Sequence, residues 1–229
     1  MAYPPESDHQ TSEHPVLEIE FFHDVLCAWC FALSPRMRQL VSQYPEVRVI
    51  HRAFALAPTP ESLVSMFGSK EQAKREILSH WRAANENDDA RRINADLMAA
   101  QPFDYPHSMP GLLACKAAER QGGQEAHWAM YDRVQKAHLT ECQDITDMSV
   151  LRRCAADVGL DVEQWEEDYH VPDVREAVER DIRHARFYGI TSVPTLVADQ
   201  KYALSGAQPY ARLAAWIEQL LEKRTPPSL

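Results

Sequence analysis

The sequence predicts an α/β fold: a strand–helix–strand (βαβ) half and a strand–strand–helix (ββα) half, separated by a large all-helical insertion. Three observations carry this. Leu17, Ile19 and Phe21 alternate with Glu18 and Glu20, the two-residue period of a strand, and Phe31, Leu33, Met37, Leu40 and Val41 then recur at helical spacing. Between roughly residues 58 and 188 the apolar periodicity is helical, interrupted by a proline-punctuated loop over Phe103–Pro110. From Gly189 onward, strand patterning returns in Thr195–Ala198 and Lys201–Leu204 before a closing amphipathic stretch. The predicted organisation is a disordered tail over 1–15, the first half over 16–57, the insertion over 58–188, the second half over 189–224 and a short tail over 225–229.

Composition narrows the function classes. The chain has 229 residues, enough for one sizeable core or a core with an inserted subdomain. A formal net charge of −10 argues against non-specific nucleic-acid binding, which rests on basic surface. No apolar run approaches the length of a membrane-spanning helix, and the polar, proline-bearing start lacks the basic and apolar segments of a secretory signal. The expectation is therefore a cytoplasmic protein that engages neither nucleic acid nor membrane. Five cysteines, an odd number in a reducing compartment, fit mostly free thiols with one chosen pair cycling.

That pair is Cys27-Ala28-Trp29-Cys30, where the first strand ends and a helix begins. A cysteine reacts as its thiolate, and the unpaired N–H groups and dipole of a helix start favour negative charge. Thiols in this setting fall from about 8.5 to roughly 3.5–7.5. Cys27 is the expected attacking thiol and Cys30, one turn inside, the buried partner that resolves a mixed disulfide. A zinc site would need two more ligands at short spacing. Cys115, Cys142 and Cys154 form no second pair, so no metal is expected. His23 and Asp24 are candidates for tuning Cys27 in opposite senses, protonated His23 favouring the thiolate and Asp24 opposing it.

The remaining elements follow in order. Pro35 lies inside the first helix and is expected to bend it, with apolar spacing continuing to Val41. Val47 to Leu56 reads as a second strand, parallel to the first because a helical crossover joins them. Pro58 and Pro60 end it. The insertion reads as helices over 70–85, 93–100 and 112–120, the last stopping at Gly122-Gly123, then helices around Trp128–Val134, Val150–Val158 and from Asp161, and finally Val174–Phe187. Cys115 and Cys154 fall on apolar stripes and read as inert core thiols. Cys142, in a loop, reads as the most exposed of the extra thiols. Pro209 sits at the expected start of the last helix.

This order resembles the thioredoxin superfamily, and the insertion makes the chain similar to DsbA-type oxidoreductases, most of all the cytoplasmic FrnE-like branch. The matching stretches are Asp24-Val25-Leu26-Cys27-Ala28-Trp29-Cys30, Asp144-Ile145-Thr146-Asp147, Ala156–Asp161, Gly189–Thr195 and Ser205–Pro209. The resemblance implies a cis Val193–Pro194 bond beside the cysteines, with Trp29, Val193 and Pro194 contacting substrate. It implies a thiol–disulfide oxidoreductase that takes disulfide-containing proteins or peptides through a mixed disulfide, with glutathione or a thioredoxin-type reductant as partner and no bound cofactor. Ala28-Trp29 lacks the histidine that strongly oxidising members place before the second cysteine. No further cysteine pair follows Cys154, unlike some FrnE-like chains. Two other readings share the pattern: a glutathione-dependent transferase or isomerase of the kappa or hydroxychromene-carboxylate type, whose members usually have serine for the first cysteine, and a non-catalytic peptide-binding chaperone module.

Overall fold

The computed structural model describes residues 16–224, so the tails expected at 1–15 and 225–229 lie outside the described residues. Four strands form one sheet: β1 (Leu17–His23), β2 (Val47–Ala53), β3 (Thr195–Ala198) and β4 (Tyr202–Ser205), in spatial order β2-β1-β3-β4. β1 pairs in parallel with β2 and antiparallel with β3, and β3 pairs antiparallel with β4. Helix α1 (Ala28–Gln43) joins β1 to β2 and continues through Pro35, and α9 (Tyr210–Arg224) closes the chain. Between β2 and β3 run α2 (Pro60–Phe67), α3 (Lys70–Asn87), α4 (Ala95–Ala99), α5 (Ser108–Leu139), α6 (Met148–Asp157), α7 (Val162–Tyr169) and α8 (Pro172–Phe187).

Two features depart from the sequence expectations. The second strand stops at Ala53, not Leu56, because Phe54 N–H bonds to His23 C=O and the chain then turns away from the sheet. Pro60 does more than end a strand: it opens α2, capped by Thr59, whose hydroxyl and the Ser62 side chain satisfy each other's backbone N–H groups. The helix expected to stop at Gly122-Gly123 does stop there: both glycines leave helical geometry, Gly123 at φ +61°, so α5 is two helical segments meeting at a kink.

Both faces of β1 are covered. Leu17, Ile19 and Phe21 are fully buried in the main core. On the other face Phe22 meets Ala185 of α8. Glu20, which alternation alone would send to water, is buried there instead. Its carboxylate accepts from Arg52 at 2.7 Å and from the Tyr188 hydroxyl at 2.9 Å, because α8 crosses that face. A carboxylate held there without those donors would be costly.

The inserted helices are tied to α1 and to the loop after β1 at two places. Arg36 of α1 is buried and its guanidinium forks onto Asp89 at 2.8 and 2.9 Å, while also reaching Asn87 and the carbonyls of Ala207 and Gln208. One arginine thereby joins α1, the end of α3 and the loop before α9. The first turn of α5 packs closely on the loop after β1. A Cβ at Gly111 would lie 2.7 Å from Val25 Cγ2 and 3.2 Å from Val25 Cβ, nearer than packed carbons approach.

Gly111→Ala should therefore destabilise the protein by about 1–3 kcal/mol despite alanine's better helix propensity. A lowered denaturant midpoint, partly restored in the Gly111→Ala/Val25→Ala double variant, is the expected result.

Candidate functional site

The site grows out of the β1–α1 junction. After His23 the chain turns through Asp24–Leu26, and Cys27 takes the N-cap position of α1 with φ −78° and ψ 104°. Its Sγ accepts the backbone N–H of Cys30 at 3.1 Å, the role a serine or aspartate oxygen usually fills at a helix start. A thiolate in that position meets an N–H directed at it and the positive end of α1. Cys27 also faces the carbonyl of Val193 at 3.5 Å, and the Val193–Pro194 bond is cis. Residues 166 apart in the chain are thus brought together by the β1–β3 pairing.

Cys30 is fully buried, and burial, reinforced by its hydrogen bond with Cys27, pushes its thiol well above the ordinary value. The two sulfurs are therefore unequal: one caps the helix, the other is held protonated behind it. Gln135 of α5 secures the loop between them and β1, its side-chain amide donating to the carbonyls of Asp24 at 3.2 Å and Cys27 at 3.0 Å. Sequence reading passed over Gln135, because a lone glutamine on a helix carries no signal of which distant carbonyls it will meet.

Asp24 is a buried anchor beneath the loop. One oxygen accepts from Leu26 N–H at 3.1 Å, and the other from Leu56 N–H and the Ser108 hydroxyl, both at 2.6 Å. Burial outweighs those bonds and pushes its carboxyl up to about 6.

His23 does not play the part expected of it. It is fully buried and directed into the core, its Nε2 2.9 Å from His51 Nδ1 and its ring 3.9 Å from that of Tyr131. Desolvation, with His127 and Lys116 adding to it, lowers its pKa well below the ordinary range, so it presents no imidazolium to Cys27. Cys142 is likewise not an exposed thiol. It adopts φ +54°, which tucks its sulfur against the Asn94 carbonyl at 3.2 Å, and burial pushes its pKa up to about 11. Cys115 and Cys154 are buried, and desolvation raises both thiols.

Beside Cys27 opens an apolar groove of about 320 Å³. Trp29 and Val193 line it from the sheet side, and Leu56, Met66, Phe67 and Trp81 from the strand end and the inserted helices. Met66 is 53% exposed and Leu56 40% exposed, large apolar side chains left to solvent next to a sulfur. The contribution of α2 was missed by sequence reading, although Leu63, Met66 and Phe67 recur at the i, i+3, i+4 spacing of a helix face.

A paired-cysteine helix start, the carbonyl of a cis Val–Pro bond facing it and a helical insertion forming one wall of a groove define a thioredoxin-fold protein with a DsbA-type insertion. A family model described as a DSBA-like thioredoxin domain matches residues 18–218, and the chain belongs to that family. It is 28% identical over 235 residues to the ClpXP adapter protein SpxH of Halalkalibacterium halodurans, covering 97% of this chain and 74% of that one. Its fold is similar to a putative protein disulfide isomerase from Nitrosomonas europaea (TM-score 0.77, 15% identity, 92% of this chain and 100% of that one). It is also similar in fold to the cytosolic disulfide reductase DsbM from Pseudomonas aeruginosa with GSH (TM-score 0.71, 20% identity, 90% and 100% covered).

The raised Asp24 carboxyl has a signed consequence. The folded protein holds that proton more tightly than the unfolded chain, whose carboxyl titrates near 3.8. Its contribution to stability is therefore fully present while the group is protonated in both states and falls as pH rises from about 4 through about 6, by on the order of 3 kcal/mol. Denaturant unfolding of wild type and Asp24→Asn across pH 4–8 should show the wild type losing stability relative to the variant over that window. Parallel curves would show that Asp24 does not titrate there.

Proposed function

We propose that the protein is a thiol–disulfide oxidoreductase acting on disulfides of proteins or peptides in the cytoplasm. Cys27 is the nucleophile and Cys30 the resolving thiol, with Trp29, Val193 and Pro194 forming the substrate contact. The observation that carries this reading is the unequal pair: Cys27 Sγ receiving the Cys30 N–H at 3.1 Å beside an open apolar groove, with Cys30 buried behind it.

The chemistry follows from that inequality. The Cys27 thiolate attacks one substrate sulfur, the substrate S–S bond breaks, and a Cys27–substrate disulfide forms. The departing substrate sulfur leaves as a thiolate and takes up a proton. Cys30 then loses its proton and attacks Cys27 Sγ; the second substrate thiol leaves and a Cys27–Cys30 disulfide remains. Its burial holds Cys30 protonated until the mixed disulfide brings a leaving thiolate close enough to receive the proton. Two equivalents of glutathione, or one dithiol of a thioredoxin-type reductant, return the pair to the dithiol. The absence of a histidine before Cys30 removes one source of thiolate stabilisation, which favours reduction or isomerisation over strong oxidation. The apolar groove suits an unfolded or flexible peptide segment around the substrate cysteine.

A second reading is favoured by the relatives bearing the name ClpXP adapter protein SpxH. On that reading the groove with Met66 and Leu56 at its rim holds a partner protein, and the thiols are incidental to binding.

The two readings separate in one experiment. Insulin or mixed-disulfide reduction with glutathione should fall to the uncatalysed rate in Cys27→Ser, while Cys30→Ser should accumulate a substrate disulfide on Cys27 detectable by mass spectrometry. Trp29→Ala should raise KM several-fold with a smaller change in kcat. Wild-type activity no higher than that of Cys27→Ser would sink the oxidoreductase reading. Undiminished partner capture by the Cys27→Ser/Cys30→Ser protein would then support the adapter.

A further inference from the structure

Behind the cysteine loop, on the core side of the sheet, three imidazoles converge. His23 is the last residue of β1. His51 of β2 stands opposite Phe21, two positions earlier and therefore on the same face, and His127 comes down on them from the second half of α5. All three are buried, with ring centroids 5.0–5.6 Å apart and walls supplied by Phe21, Trp128 and Tyr131. One ring nitrogen from each lies within 4.8 Å of the other two.

The hydrogen bonding of this cluster does not close. His23 Nε2 and His51 Nδ1 share a single bond at 2.9 Å, and His127 Nδ1 faces a Glu119 carboxylate oxygen at 2.9 Å. The outer nitrogens, His23 Nδ1, His51 Nε2 and His127 Nε2, are buried with no hydrogen-bond partner. Each neutral imidazole carries one N–H and one lone pair. Whichever of His23 and His51 donates to the other, one of the two is left with an orphaned buried N–H, and the other nitrogens present bare lone pairs. A core that merely needed filling would be better served by apolar side chains.

We propose that His23, His51 and His127 form a binding site for a divalent transition-metal ion of the zinc type. All-imidazole donor sets suit zinc, copper and nickel. The Glu119 carboxylate on His127 Nδ1 is the outer-sphere partner that fixes a ligating histidine's tautomer and leaves Nε2 free for the ion. Lys116, whose Nζ lies 3.5 Å from the His51 carbonyl, is already paired with two carboxylates, 2.8 Å from Glu119 and 2.9 Å from Asp181. Ligation at about 2.0–2.1 Å brings nitrogens to about 3.3 Å from one another. Rotation about the soft imidazole χ2 torsions supplies that approach and exchanges the His23–His51 bond for two metal bonds, each ring keeping its one N–H on the nitrogen that does not ligate. The ion would pin α5 onto β1 and β2 one residue before Asp24, which makes it a clamp on the cysteine loop. The sequence reading of no metal site rested on cysteine spacing and did not see a site assembled from three distant histidines.

The test uses the full chain with Cys27→Ser and Cys30→Ser, so that thiolates do not compete and the result is independent of the oxidoreductase reading. After equilibration with zinc sulfate and dialysis, one zinc per chain should remain and the Tm should rise. Cobalt(II) should give the visible bands of a low-coordinate nitrogen site without sulfur charge transfer. Glu119→Gln should weaken retention by about 10–100-fold, and His127→Gln should abolish it. Imidazole 15N shifts of the zinc-loaded protein assign the ligands without altering them, so the proposal remains testable if His127→Gln fails to fold. No retained zinc, or shifts confined to other histidines, would overturn the site and leave a proton-sharing cluster of the core.

Discussion

The position of Cys27 at the N-cap of α1 is the constraint on which the rest of the site depends. One residue terminates β1's approach, satisfies an orphan donor of the helix through the Cys30 N–H and faces the Val193 carbonyl. A sulfur can occupy a cap only if the preceding loop is held, and the loop is held from below. Asp24 gathers Leu26, Leu56 and Ser108 onto one carboxylate, and Gln135 grips the Asp24 and Cys27 carbonyls. Moving the loop would leave buried donors and acceptors unpaired at both ends of that set, which is what makes it stiff.

The inserted helices are therefore part of the site's machinery as well as its wall. Ser108, Gly111 and Gln135 all belong to α5, and each meets the cysteine loop or the carboxylate under it. The same helix carries His127 toward β1 and β2 and, through Lys116, reaches Asp181 of α8 on the other side of β2. A chain of buried and half-buried charges, Glu20, Arg52, Asp181, Lys116 and Glu119, thus connects α8, the sheet and α5. Each ion costs desolvation and is tolerable only because the next is in place, so the set specifies how the helices sit against the sheet more than it adds stability.

The groove illustrates how a pairing of mediocre local signals yields a defined feature. Leu63, Met66 and Phe67 on a short helix, and Ile77 and Trp81 on the next, would read as ordinary core faces. Here α2 stops short of closing over Cys27. Met66 and Leu56 stay partly in water, and an apolar concavity is left against the one capped sulfur. Exposed apolar surface of this kind is retained when something intermittently covers it.

Sequence alone determined the order of the strands and, α2 apart, the succession of helices, the βαβ and ββα grammar around a helical insertion, and the cysteine pair at a strand-to-helix junction. These are local matters: period two against period three and a half, proline and glycine at boundaries, two cysteines one helical turn apart. The tertiary structure decided what the buried polar residues do. Glu20 alternates like a surface residue yet is buried because α8 covers its face. His23 lies next to the motif yet turns into the core to meet His51 and His127, and Cys142 sits in a loop yet is covered through a left-handed turn. The physical reason is range: a side chain's periodicity is written in its neighbours, but its partners, burial and charge state are set by elements a hundred residues away that only the packed fold brings into contact.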